Sequence, residues 1–233
     1  MQPQGPGEIL QNRQVRLTCT VCASLLIMTG SGTGLREIKK QLTREAIADA
    51  AYQLVLDKGL ENVTIDEIAQ LAFISPRTFS NYFSCKEEAV VAAGSPVFSG
   101  ILEALDERPT DEPPLHSLGE LVVDAVRDRT DEQLAVTAGK LRLSQRYPAM
   151  QPYEAARYDA FETAIGERIA ARTGTELATD LYPGLVAAVV TGALRVAVAS
   201  WVHADAPRER LPELLTEAFQ ELADGLPLPA ASR

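Results

Sequence analysis

TIDEIAQLAFISPRTFSNYF, residues 64–83, writes two short helices and a tight turn. Thr64 stands three residues before Glu67, the capping-box spacing in which a hydroxyl and a carboxylate each take an orphan amide at a helix start. Ile65, Ile68, Ala69 and Ala72 follow at helical spacing and form one narrow apolar stripe. Ser75 before Pro76 is a second start signal, because the serine oxygen caps and proline's missing amide costs nothing at the first helical position. The second helix is expected over about 76–82. Ser84 and Glu87 repeat the capping-box spacing and predict a further helix right after Phe83.

Two short helices in this order suit a helix-turn-helix, in which the second helix enters the major groove and its neighbours grip phosphates. That helix offers Arg77, Thr78, Ser80, Asn81 and Tyr82, all able to hydrogen-bond. Arg77 can fork onto guanine O6 and N7 or hold a phosphate. The competing reading is a small polar helix of any all-α protein, with Phe79 and Phe83 as core anchors, and the stretch alone leaves both open.

The flanks add to it. From Thr43 the chain runs TREAIADAAYQLVLDKGLENVTIDEIAQLAFISPRTFSNYFSCKEEAV. The threonine-arginine start, Ala50 and Ala51, Gly59 closing the first helix, Thr64, Ile68-Ala69, and Tyr82-Phe83 followed by Lys86 resemble the N-terminal domain of the TetR family of repressors. The resemblance implies an all-α protein with a three-helix DNA-binding head, a larger helical-bundle domain holding an effector pocket, and a homodimer on a palindromic operator. It also implies repression released by a ligand. DNA contacts are then expected from Arg36, Lys40, Arg44, Thr64, Ser75, Pro76, Arg77, Thr78, Ser80, Asn81, Tyr82 and Lys86. Two residues depart from the pattern. Phe73 stands where the family commonly has glycine, so its side chain either packs on the head or lies exposed near DNA. Cys85 replaces a small polar residue near a helix start, where a redox switch and an inert, core-like thiol are both open readings.

The net charge of −10 is unexpected for a DNA binder, but it divides as +1 over residues 1–33, −2 over 34–94 and −9 over 95–233. Within the head, Arg36, Lys40 and Arg44 repeat every four residues with Lys39 beside them, and the same face turns apolar at Ile47, Ala50 and Leu54. A helix that packs at one end and projects cations at the other suits a duplex backbone; a solvated charge face is the plainer alternative. The expected division is 1–33 an extension, 34–94 the DNA-binding head, 95–226 the effector-binding and dimerisation domain, and 227–233 a disordered tail.

The first 33 residues combine Arg13 and Arg16 with the apolar run VCASLLIM at 21–28, a pattern that invites a signal-peptide reading. A DNA-binding head works in the cytoplasm, so a disordered extension, or initiation at Met28, is expected instead. Cys19 and Cys22 form a CxxC pair without two further ligands at zinc spacing, so no metal is expected.

Beyond Ala93 the pattern stays helical, with helices expected at about 84–93, 97–107, 115–129, 131–146, 152–172, 176–203 and 208–224. The run LVAAVVTGALRVAVASW at 185–201 is shorter than a bilayer requires and contains Arg195, so a buried helix is expected rather than a membrane span. In the TetR resemblance this helix and the next form a four-helix dimer interface, with Ala188, Gly192, Leu214 and Phe219 as contact candidates. Arg195 either pairs inside the fold or meets an anionic effector group. Tyr147, Met150, Tyr153, Tyr158 and Phe161 form an aromatic cluster that reads equally as pocket wall or core. The segment RYDAFETAIGERIAARTGTEL looks similar to TetR relatives that sense fatty acyl-CoA or other lipid-like molecules, so a small hydrophobic effector such as a fatty acyl-CoA or fatty acid is the expected ligand. An all-helical enzyme is the rival class, yet only His116 and His203 are available, neither in a catalytic spacing, and no cofactor motif appears. A third class is an adaptor that kept the fold without binding DNA.

Overall fold

The computed structural model describes residues 34–94 and 97–228. The apolar run at 21–28, the Cys19/Cys22 pair and residues 229–233 lie outside the described residues. Regular structure among the described residues is helical throughout, as the all-α expectation requires. The chain divides into two compact units, 1–46 and 47–233.

The described part of the first unit is the leading half of helix α1 (Leu35–Lys58). It is solvated: Arg36, Lys39 and Lys40 are exposed, and Gln41 donates to Glu45 one turn on at 2.8 Å.

The second unit takes the rest of α1 and the helices α2 (Ile65–Leu71), α3 (Pro76–Ser80), α4 (Lys86–Ala92), α5 (Val97–Glu107), α6 (Pro114–Arg127), α7 (Asp131–Arg146), α8 (Gln151–Thr173), α9 (Leu181–His203) and α10 (Arg210–Ala223). Two apolar cores hold it. One gathers Ile47, Tyr52, Val55, Ile68, Phe79, Phe83 and Val90 together with Leu143, Tyr147 and Met150. The same core thus serves the helix-turn-helix and the α7–α8 corner. The other gathers α5–α10 around Leu118, Ile165, Val190, Leu211 and Leu215.

Helix ends follow local chemistry. Gly59 adopts φ +82 after α1, and a Cβ there would meet the Tyr147 hydroxyl at 3.0 Å, so glycine is needed twice over. Gly174 (φ +68) ends α8 in the left-handed conformation that L side chains avoid. Expectation and structure part at two starts. The α4 cap is Cys85, whose sulfur accepts from the Glu88 amide at 3.4 Å, while Ser84 Oγ and its amide both donate to Glu88 at 2.7 and 2.8 Å. The expected Ser84–Glu87 box is therefore not formed: Ser84 donates to the Glu88 carboxylate, and the Glu88 amide goes to Cys85. Helix α9 begins at Leu181 rather than 176, because Glu176 donates its amide to the Asp180 carboxylate at 2.8 Å and residues 176–180 close a turn of their own.

Gly139 on α7 sets how closely α1 can lie. A Cβ there would fall 2.0 Å from the Tyr52 hydroxyl oxygen, so Tyr52 reaches its buried seat only because this position is bare. Burial pushes the Tyr52 phenol pKa up.

Helix α9 is long and apolar enough to cross a membrane, but 56% of its most apolar stretch is buried inside the fold. Val186, Val190, Leu194, Val198 and Trp201 supply that buried side, which accounts for its composition.

Candidate functional site

The helix-turn-helix assembles as its caps prescribe. Thr64 Oγ1 accepts from the Glu67 amide at 3.3 Å and donates to the Glu67 carboxylate at 2.9 Å, while the Thr64 amide donates to the same carboxylate at 2.9 Å. Lys58 reaches Glu67 as well, and its hydrogen bond leads the causes that hold the Glu67 carboxyl at about 2. At α3 the Ser75 oxygen accepts from the Thr78 amide at 3.1 Å, with Pro76 at the first turn. Phe79, fully buried, and Phe83, their ring centroids 5.9 Å apart, pin α3 from beneath. Burying a ring of this size is worth roughly 1.5–3 kcal/mol, enough to fix a five-residue helix that would not form alone.

What α3 turns outward is polar. Ser75, Pro76, Arg77, Ser80 and Asn81 are exposed. Thr78 and Tyr82 are half-buried, with the Thr78 hydroxyl 2.9 Å from that of Ser75. Phe73, in the turn, is 84% exposed at φ +56, which resolves the sequence alternative in favour of exposure. The structure gives Lys86 a different occupation from the expected phosphate contact. Its ammonium donates to the carbonyls of Leu60 at 2.7 Å and Val63 at 2.9 Å, bracing the link between α1 and α2.

In the first unit, Arg36, Lys39, Lys40 and the half-buried Arg44 are ordered along α1, with Glu37 and Glu45 as the acids among them.

The expected effector wall is not one. Tyr147 and Met150 are spent in the core beneath the helix-turn-helix, and Phe161 in the larger core. Tyr153 packs on the first of these cores, and its hydrogen bond with Cys85 pushes its phenol pKa up. Tyr158 is half-buried beside Arg157, whose guanidinium carbon lies 4.9 Å from the ring centroid. Arg195 is exposed on α9 rather than buried. A cavity of about 340 Å³ lies instead between α5, α6 and the start of α7, lined by Gly100, Ile101, Ala104, Leu121, Ala125 and Arg129, with Asp124, Asp128 and Gln133. Its apolar members lie in amphipathic helices and are indistinguishable in sequence from core residues.

Of the interface candidates, Ala188 is exposed and Gly192 has open space where a Cβ would stand. With Leu181, Leu185 and Val196, which are 81%, 52% and 61% exposed, they form an uncovered apolar stripe along α9. Phe219 faces inward, pressed against Gly119 of α6, and Leu214 packs on the same core. The outward face of α10 carries Glu213, Glu217 and Arg210 instead.

A feature missed in sequence sits at the head of α6. Glu112, His116 and Glu120 bring ligand atoms within 4.8 Å of one another, a four-residue spacing legible in retrospect. Arg108 pairs with both carboxylates, at 2.6 Å to Glu112, so a protein cation already occupies the centre of this group.

Residues 47–93 match the family model described as bacterial regulatory proteins, tetR family, and residues 112–227 match the MftR C-terminal domain. The chain is 32% identical to the HTH-type transcriptional regulator TcmR of Streptomyces glaucescens over 85% of its own length and 88% of that protein. It is 25% identical to MftR, a transcriptional regulator of Mycobacterium tuberculosis, over 81% of this chain and 93% of the other. Among solved structures, the fatty acid degradation regulator FadR of Bacillus halodurans aligns with a TM-score of 0.50 at 20% identity, over 84% of this chain and 98% of that one, a likeness of fold. With a capped helix-turn-helix standing on a buried aromatic pair and relatives that span most of its length, the chain belongs to the tetR family of helix-turn-helix transcriptional regulators.

Proposed function

We propose that the protein is a ligand-released repressor of the cytoplasm that binds a palindromic operator as a homodimer. The observation that carries the DNA-binding reading is the polar, solvent-facing side of α3 held rigid by Phe79 and Phe83. Arg77 and Asn81 face base edges, and Ser75, Thr64, Thr78, Ser80 and Tyr82 hold phosphate or shape the approach. Arg36, Lys40 and Arg44 each meet phosphate from the first unit. The uncovered stripe on α9 supports a second copy as its occupant, since small residues such as Ala188 and Gly192 permit close helix approach. A small hydrophobic effector, with fatty acids and acyl-CoAs the first to try, shifts operator affinity only as far as it binds the two conformations unequally.

A mobility-shift titration on the DNA upstream of the protein's own gene tests the reading. Arg77→Ala should cost about 1–3 kcal/mol and change sequence preference. Wild-type binding by that variant across salt concentrations would place the recognition surface elsewhere. Gly192→Arg should yield monomers that lose tight operator binding, and a stable wild-type monomer in solution would remove the dimer reading.

A further inference from the structure

Operator recognition through α3 makes no use of Phe73, the exposed aromatic in the turn before it. Helix α2 ends in a paired motif: the Phe73 amide donates to the Gln70 carbonyl at 3.2 Å and the Ile74 amide to the Ala69 carbonyl at 2.9 Å. That arrangement puts residue 73 in the left-handed conformation, where glycine is the usual occupant. Phe73 holds it at φ +56, at the steric cost that any residue with a Cβ meets there. Ala72 and Ile74 on either side pack against the core beneath the helix-turn-helix, and the ring between them is 84% exposed. No burial within the chain offsets that strain, and strained positions of this kind cluster where a protein meets its ligand.

The surroundings of the ring select its partner. Phe73 lies two residues before Ser75, whose oxygen caps α3, so at most about 7 Å of backbone separates it from the start of the recognition helix. From Ile68 to Lys86 the chain carries no carboxylate, while Ser75, Arg77, Ser80 and Asn81 are exposed. In a chain of net charge −10, the surface that continues from the ring is thus polar and free of negative charge, which suits a polyanion. The first residues of a recognition helix take base edges, so a residue ahead of its cap stands at the edge of the groove, against the backbone. Deoxyribose is the apolar part of that backbone. Resting on the DNA-binding reading of α3, we propose that Phe73 is a further DNA-contact residue, whose ring packs on the deoxyribose of the strand held by Ser75. The contact adds affinity without reading sequence and takes no part in neutralising phosphate. Stability and operator affinity therefore oppose each other at this one position.

Operator DNA selected by the wild-type chain from random-sequence duplexes tests this, with Phe73→Gly, Phe73→Ala and Phe73→Leu made in the full chain. Hydroxyl radicals cut DNA by attacking exposed deoxyribose, so footprinting reads the contact directly. Wild type should protect about one or two sugars in each half-site that Phe73→Gly and Phe73→Ala leave open, with the rest of the footprint unchanged. Both variants should bind about tenfold more weakly, as losing much of an aromatic burial implies, with the salt slope unchanged. Leucine keeps an apolar side chain and should lose less. Unfolding should show Phe73→Gly no less stable than wild type, so that a weakened turn does not account for the lost affinity. Deoxyuridine in place of each thymine should leave the ratio of variant to wild-type affinity unaltered, since no base methyl is involved. An identical footprint, equal affinity, a flattened salt slope or a ratio that collapses at one deoxyuridine would overturn the proposal. So would unchanged DNA binding alongside altered self-association, which would make the ring a protein contact. Either small variant suffices should the other fail to fold. Arg77→Ala on the same DNA reports on recognition by α3 itself, so failure here is distinct from failure of that reading.

Discussion

The helix-turn-helix and the helix α4 that follows it share one core yet are built on different rules. In the former, polar groups are satisfied within a few residues: Thr64 by Glu67, Thr78 by Ser75. In the latter they are satisfied across the chain, as when Lys140 reaches Val91 and Ala93, or Lys86 reaches Leu60 and Val63. A locally satisfied element tolerates changes to distant residues, whereas one satisfied at long range fails with either partner. Single substitutions should therefore cost more at the long-range seats than at the caps.

The largest effect is expected at Gly139. Alanine there must displace the Tyr52 ring, because the new methyl would fall 2.0 Å from the hydroxyl and 3.1 Å from the ring carbon bearing it. Overpacking of this kind should lower stability by about 3 kcal/mol, read by denaturant unfolding. Tyr52→Phe removes the worst clash, so the double variant should lose less than the sum of the two single changes. Strict additivity would show that the two residues do not share a seat.

Next comes Lys86. Met keeps the alkyl stem but leaves the Leu60 and Val63 carbonyls without their donor, at a cost of about 2 kcal/mol. The salt dependence of operator binding should stay as it was. If instead stability holds and the salt slope flattens by about one unit, Lys86 is a phosphate contact and the long-range brace is unimportant.

The same contrast explains what was legible in sequence. The caps at Thr64 and Ser75, the glycine stop at Gly59 and the all-helical architecture depend on neighbours in the chain, and spacing exposes them. Lys86 sits where the family resemblance implies a phosphate contact, and nothing local reveals that two carbonyls more than twenty residues upstream take its ammonium. The Tyr147–Phe161 aromatics looked like a pocket because a cluster in sequence need not be a cluster in space. Tyr147, Tyr153 and Phe161 divide between two cores, Tyr158 lies half-buried beside Arg157, and the cavity falls among residues of α5 and α6 that carry no compositional signal. Phe219 misled for a related reason: a buried face and an interface face have the same composition, and only Gly119 opposite it decides which one it is.

A smaller cost is expected at the α2 cap. Thr64→Ala removes the side-chain half of the box and should lower stability by about 1 kcal/mol. Acid should reproduce part of this loss. The folded Glu67 carboxyl, held at about 2 by Lys58 and then Thr64, lies below its ordinary value of 4.5. Its stabilising contribution is therefore complete above that value and disappears as the pH falls from about 4.5 towards 2. Glu67→Gln should flatten the acid limb of the stability profile over that window, and an unchanged limb would remove Glu67 from the account.

The smallest effect, and the one of opposite sign, belongs to Phe73. Its φ of +56 places a side chain with a Cβ in the left-handed region, at a cost of roughly 1–2 kcal/mol, and its ring is 84% exposed. Little burial is therefore lost when the ring is removed. Glycine relieves the backbone strain but gives back part of the gain through its larger unfolded-state entropy, about 0.5–1 kcal/mol. The balance should leave Phe73→Gly more stable by up to about 1 kcal/mol, a rise in melting temperature of about 2–4 °C for a chain of this size. Phe73→Ala is the control, since it removes the ring and keeps the Cβ: it should leave stability near the wild-type value. If alanine stabilises as much as glycine, the exposed ring and not the backbone is the source of the cost, and the turn obeys a rule different from the caps on either side of it.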